Sequence, residues 1–105
     1  MHSLSVIGSG RIVEEHIKAA LRCNIKVRYI FSSRVGSKNA VRLSKKYKIE
    51  NIKTFKKFID LSINAKSNFL IAGRISKNSL YLKQCINTKK KIFIEKPVFL
   101  KNKYF

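Results

Sequence analysis

The junction between Leu4-Ser5-Val6-Ile7 and the segment from Arg11 onward constrains this chain most: an apolar run meets Gly8-Ser9-Gly10, and helical periodicity begins at once. A short apolar run closed by glycine has the pattern of a buried strand. Val13, Ile17, Ala20 and Leu21 then recur at intervals that predict a helix of about three turns with one apolar stripe. Where a strand turns through glycines into a helix, the first N–H groups of that helix lack intrahelical partners and carry partial positive charge. Such a terminus suits a phosphate. Taken alone, Gly-x-Gly-x-x-Val fits equally a turn that holds no ligand, because Val13 stands where a dinucleotide fingerprint has glycine or alanine.

The alternation continues along the chain. Ile25 to Phe31 reads as a second strand, with Ile25, Val27, Tyr29 and Phe31 on one face and Ile30 on the other. Ala40, Leu43 and Tyr47 form the stripe of a second helix, N-capped by Ser37. A short third strand falls around Ile49 to Lys53, and Thr54 caps a helix whose Phe55, Phe58 and Ile59 face inward. Phe69 to Ala72 is an unbroken apolar strand closed by Gly73; Leu80, Tyr81 and Cys85 mark another helix, and Ile92-Phe93-Ile94 a last strand. Strands apolar on both faces, alternating with helices, predict an α/β domain with a parallel sheet covered by helices.

At 105 residues the chain accommodates one such domain, and its 45% hydrophobic residues suffice for a core. No window approaches the roughly 18 apolar residues of a membrane span, so no membrane partner is expected. No signal peptide is legible, and Cys23 and Cys85, far apart and at no metal-binding spacing, predict reduced thiols, a cytoplasmic location and no metal. The net charge of +19 could mark a nucleic-acid partner. Against that, the lysines are scattered, with only short clusters at Lys45-Lys46, Lys56-Lys57 and Lys89-Lys90-Lys91. The joint abundance of Lys, Asn, Ile and Ser is what a bias toward A- and T-rich codons produces.

Four segments in order, "GSGRIVEEH" (8–16), "IFSSRVGSKNAVRLSKKYKI" (30–49), "TFKKFID" (54–60) and "KKIFIEKPVFL" (90–100), carry a resemblance. Together they resemble the N-terminal Rossmann domain of the Gfo/Idh/MocA superfamily, the glucose–fructose oxidoreductases and inositol dehydrogenases. The resemblance implies a Rossmann-like sheet, a nicotinamide dinucleotide and hydride transfer to or from a sugar or cyclitol alcohol. On that basis Gly8, Ser9, Gly10, Arg11 and Ile12 form the pyrophosphate turn. At the end of the second strand, where NAD-selective domains place an acid against the ribose, the chain has Ser32-Ser33-Arg34, which favours the 2′-phosphate of NADP, with NAD as the alternative. The resemblance also implies cofactor contacts from Ala72, which ends the fourth strand, from Gly73 and Arg74 just after it, and from Glu95, Lys96 and Pro97 after the last strand.

The resemblance implies that Lys96 is catalytic, beside the nicotinamide and substrate, where an ammonium stabilises a developing alkoxide. Glu95 orients it or pairs with a base, and Pro97 fixes the turn. His16 reads as a helix residue packed near the glycine turn, not as a catalyst.

The departures matter too. The family's Thr-Pro and following histidine are replaced by Gly73, Arg74 and Asn78, and the glycine ending the fourth helix by Lys89, which removes a favoured left-handed cap. Family members continue past Glu-Lys-Pro into a substrate domain, whereas this sequence stops at Phe105. The expectation is therefore a truncated cofactor-binding half with no second domain, incomplete for catalysis alone and with an exposed apolar edge at its last strand. Two alternatives stay open: a non-enzymatic nucleotide-binding module that docks with another chain supplying the missing domain, and a basic nucleic-acid binder whose association falls steeply with salt.

Overall fold

A computed structural model describes residues 3–33, 36–73 and 75–94. Strands β1 (Ser3–Ile7), β2 (Lys26–Phe31), β3 (Glu50–Asn51), β4 (Asn68–Ile71) and β5 (Ile92–Ile94) alternate with helices α1 (Arg11–Arg22), α2 (Lys38–Tyr47), α3 (Phe55–Asn64) and α4 (Ile75–Ile86). All neighbouring strands are parallel, in the order β3-β2-β1-β4-β5. The chain thus winds outward from β1 in one direction, crosses back after β3 and winds outward in the other. Each half places its helices on its own face of the sheet. Val13, Ile17 and Ala20 of α1 and Leu43 of α2 pack on Leu4, Val6, Val27 and Ile30. On the opposite face, Phe58 of α3 with Tyr81 and Cys85 of α4 packs on Ile7, Phe31, Phe69 and Ile71.

Three readings of facing are corrected. Val27 does not share a face with Tyr29 and Phe31; it lies with Ile30 in the α1/α2 core, while Tyr29 and Phe31 face α3 and α4. The cause is a register irregularity: Leu4 pairs with Val27 but Ser5 pairs with Tyr29, so Arg28 is an extra residue that reverses the alternation. Leu21 and Leu80, read as inward, are 43% and 49% exposed. Leu21 stands off the Val13–Ile17–Ala20 stripe, and α4 is anchored by Tyr81 and Cys85 alone of its three predicted residues. Phe93 is 57% exposed, on the opposite face of β5 from Ile92 and Ile94, so the last strand is covered on one side only among the described residues.

Polar contacts fix the layers. On β1 the serines alternate with Leu4 and Val6 and point at the α3 side, where Ser62 Oγ donates to Ser5 Oγ at 2.7 Å and Ser3 and Ser67 hydroxyls pair at 2.7 Å, all four buried. Ser37 and Thr54 cap α2 and α3, accepting from the N–H groups of Ala40 and Lys57. Each of the four described helices is followed by a non-glycine residue in the left-handed region: Asn24, Lys48, Lys66 and Lys89, with φ between +55° and +59°. Lys89 therefore adopts the left-handed turn that its side chain disfavours, and the cap is formed all the same.

Candidate functional site

The two halves of the winding diverge between β1 and β4, and beyond the carboxyl ends of these strands and β2 lies a cavity of about 660 Å³. In open α/β sheets ligands bind at this place, because the loops on either side part there. Gly8 closes β1 with φ +121°, donates its N–H to the Phe31 carbonyl at 2.8 Å, and lies so close to β4 that a Cβ would overlap the Ala72 carbonyl group. Only glycine fits. Gly10, by contrast, has φ −75° and nothing within 4 Å of where its Cβ would be. It is the N-cap of α1 and brings no side-chain acceptor, so the first turn of this helix keeps backbone donors available, unlike the capped α2 and α3.

Ser9, between the two glycines, ties the turn to the next loops. Its hydroxyl donates to Ser32 Oγ at 3.2 Å and pairs with Ser37 Oγ at 3.0 Å, and its carbonyl accepts from the Asn39 side-chain amide. Ser32, Ser33, Gly36, Ser37, Lys38 and Asn39 form the β2 side of the cavity, and no acidic side chain is among its lining residues. An adjoining hollow of about 280 Å³ continues over Ala40, Asn51, Ile52 and Phe55. On the other side, Ala72, Gly73 and Tyr81 form the wall. Tyr81 is held by aromatic contacts with Phe31 and Phe55, at centroid distances of 6.1 and 5.1 Å.

Of the residues expected from sequence, Gly8, Ser9, Gly10, Ser32, Ser33, Ala72 and Gly73 thus line one cavity. Arg11 and Ile12 open onto a second hollow with Glu14, Glu15 and Arg42. His16 is half-buried on α1. Arg34, Arg74, Glu95, Lys96 and Pro97 lie outside the described residues. Lys38, Asn39 and Tyr81 were not anticipated as site residues. The signal for the first two was present: Ser37 reads as a cap, and a helix that starts just after β2 must present its first residues at the same sheet edge. Among the described residues no group of His, Cys, Asp or Glu could hold a metal ion, and both cysteines are free, Cys23 exposed and Cys85 buried. Burial pushes the Cys85 thiol up to about 12.

Beside the cavity, Glu14 on α1 accepts from the Tyr47 hydroxyl at 2.6 Å, from Arg42 at 3.0 Å and from Lys46 at 2.9 Å, all three on α2. These contacts, the Tyr47 hydrogen bond first, hold its carboxyl at about 2, and the same pair raises the Lys46 ammonium.

A doubly wound parallel sheet with a glycine turn at its switch point defines a Rossmann-type domain. The chain belongs to the Gfo/Idh/MocA oxidoreductase family with an NAD-binding Rossmann fold, whose family model matches residues 3–103. It is similar in fold to a Desulfitobacterium hafniense DCB-2 protein provisionally named an NADPH-dependent oxidoreductase (TM-score 0.77, 22% identity, 94% of this chain and 28% of that one). A Thermotoga maritima protein provisionally named a dehydrogenase is similar to it as well (TM-score 0.76, 22% identity, 94% and 29%). The chain spans less than a third of the length of either. No curated protein matches it in sequence. Among the described residues no helix is long and apolar enough to cross a membrane.

Proposed function

We propose that the chain binds NADP(H) across this cavity, as the nucleotide-binding part of an oxidoreductase that moves hydride between a sugar or cyclitol alcohol and the nicotinamide. The observation that carries the reading is the continuous wall from the uncapped N-terminus of α1 to a hydroxyl-lined end of β2 that has no acid. The residues fit the cofactor. Gly10 leaves room for a pyrophosphate against the backbone donors of α1. Beside β2, a 2′-phosphate meets the hydroxyls of Ser32 and Ser33 and the ammonium of Lys38, where a carboxylate would repel it. By sequence position Arg34 joins them. The name given to the Desulfitobacterium protein points the same way.

When bound, the nicotinamide supplies the hydride acceptor or donor. The part we assign to this chain is binding and orientation, with Lys96 holding the substrate oxygen and Glu95 positioning Lys96. The remaining substrate contacts and the acid–base group come from polypeptide beyond this domain, on the same chain or a separate one. The exposed Phe93 on β5 favours such a neighbour.

Calorimetric titration with NADPH and NADH, at two salt concentrations, tests the reading. Saturable binding with NADPH the tighter ligand is expected. Arg34→Asp and Lys38→Ala should each weaken NADPH roughly tenfold, the scale of one charge-assisted contact, and leave NADH nearly unchanged. Equal affinities in all proteins would remove the NADP assignment. A folded protein that binds neither dinucleotide would remove the whole reading.

A further inference from the structure

The edge of the sheet opposite the cavity carries charge of one sign. All five strands are parallel, so the segments that lead into β2, β3, β4 and β5, residues 24–26, 48–49, 65–67 and 87–91, gather at the amino ends of the strands. They contain Lys26, Lys48, Lys66, Lys89, Lys90 and Lys91, and no acidic or aromatic residue. The register aligns them. Ser3 pairs with Lys26; two residues on, Ser5 is level with Tyr29, Glu50, Phe69 and Ile92. Counting back two residues sets Lys48 and Lys90 level with Lys26, and Lys66 one residue further out. At the strand spacing of about 4.8 Å this makes a cationic row about 20 Å long. Lys90 is half-buried and the other five are exposed, and no ion pair among the described residues engages any of them. The described acids lie elsewhere: Glu14 and Glu15 near the start of α1, Asp60 within α3, and Glu50 two residues along β3 from Lys48.

Three of these lysines occupy backbone that works against them. Lys48, Lys66 and Lys89 have φ of +57°, +55° and +59°, where glycine is unstrained and asparagine, as at Asn24, is among the side chains best tolerated. A bias toward A- and T-rich codons supplies asparagine as readily as lysine, so it does not account for lysine at three of the four such turns. Helix ends do not account for it either. Each helix C-terminus carries about half a negative charge, so four helices present about two against six lysines. A cation kept where it strains the backbone is kept for its charge.

We propose that the amino edge of the sheet is a docking surface for duplex nucleic acid, bound through its phosphates without reading the bases. A line of ammonium groups matches a partner whose negative charge repeats along a line, and each lysine meets phosphate as a point charge. The row has no aromatic side chain, so it lacks the stacking platform on which single strands depend. An anionic bilayer asks for apolar side chains among the cations. Leu21, Ile63 and Ile86 are exposed on the helices that flank the row, not within it. The surface is independent of the dinucleotide reading, because the cavity lies beyond the opposite ends of the strands, and both ligands can be held at once.

The test follows binding of a short, fluorescent, mixed-sequence DNA duplex as a function of salt. It compares the full chain with two triple variants: Lys48→Gly, Lys66→Gly and Lys89→Gly together, and Lys56→Gln, Lys57→Gln and Lys77→Gln together. The second set removes the same charge from the starts of α3 and α4, at the cavity end. Parent affinity should fall on the order of a hundredfold between about 50 and 200 mM salt, as for about four phosphate contacts. The glycine variant should bind roughly tenfold more weakly at the lower salt, and its log K against log salt should flatten by between about two and three. It should melt no lower than the parent, so lost binding is not lost folding. The glutamine variant should change the slope by less than about one, and NADPH should not displace the duplex. Equal losses in the two variants would reduce the effect to net charge and overturn the inference. Displacement by NADPH would put the duplex in the cavity and overturn it too, as would binding of phosphatidylserine vesicles without binding of the duplex. Should the glycine variant melt lower, Lys26→Gln, Lys90→Gln and Lys91→Gln together, none of them left-handed, decide instead, and an unchanged slope overturns the inference.

Discussion

The Tyr47 hydroxyl donates a 2.6 Å hydrogen bond to Oε2 of Glu14, fastening the last turn of α2 to the first of α1. With Arg42 and Lys46 on the same carboxylate, one of only five acidic residues in the chain anchors three partners. The folded carboxyl, at about 2, lies below its ordinary 4.5. Its stabilisation is therefore complete above pH 4.5 and is lost as pH falls through about 2. Thermal melts of the parent and Glu14→Gln should differ at neutral pH and converge as pH falls through that window. A gap that stays constant down to pH 2 would assign the effect to packing instead.

Removing one member of the buried Ser5–Ser62 pair should cost more than its size implies. Ser62→Ala leaves the Ser5 hydroxyl buried without that partner, a penalty of about 1–3 kcal/mol by denaturant unfolding. Adding Ser5→Ala should restore part of the loss. Strict additivity would show that the hydroxyls do not act as a pair.

The two glycines of the turn should fail in different ways. Gly8→Ala forces a methyl into the Ala72 carbonyl at φ +121°, and should destabilise the fold by more than ~3 kcal/mol or prevent folding. Gly10→Ala meets nothing within 4 Å, so melting should change little while dinucleotide affinity drops. Comparable melting losses in both variants would contradict this division.

Lys48→Gly, Lys66→Gly and Lys89→Gly should each stabilise the chain, by about 0.5–1 kcal/mol, by relieving a left-handed backbone that a Cβ disfavours. Chemical denaturation of the single and triple variants checks this. The positions terminate different helices, so the gains should add.

The thiols should react unequally. Under native conditions a maleimide or disulfide reagent should modify Cys23 and spare Cys85, whose thiol is buried and held at about 12. Equal rates would mean that α4 opens readily.

Much of the architecture was readable because period and punctuation agree: Ser37 and Thr54 cap where the apolar stripes of Ala40–Leu43 and Phe58 begin, and Gly73 follows the run at Phe69. The facing of β2 was not readable, because an extra residue at Arg28 leaves no compositional mark while it inverts every later side chain. Leu21 and Leu80 misled because an apolar residue at the margin of a stripe looks the same in sequence as one at its centre. The cavity was half legible. Gly8, Ser32 and Gly73 are far apart in the chain but each follows a strand, and strand order brings strand ends together. Tyr81 was hidden because a tyrosine on a core stripe carries no local sign of facing a cavity, whereas Lys38 and Asn39 were marked by their place just after the Ser37 cap.

The Ser9 hydroxyl is already bonded to the hydroxyls of Ser32 and Ser37, and the Ser9 carbonyl accepts from the Asn39 amide. An incoming polar group at this corner therefore trades hydrogen bonds instead of adding them, and a neutral hydroxyl gains little from the trade. A dianion gains more, because each serine can turn its proton outward and every new bond is charge-assisted. Under the proposed NADP reading, the corner that would receive a phosphate would be nearly indifferent to a bare ribose, and discrimination would arise from the cost of interrupting the bonds that Ser9 already makes to Ser32, Ser37 and Asn39.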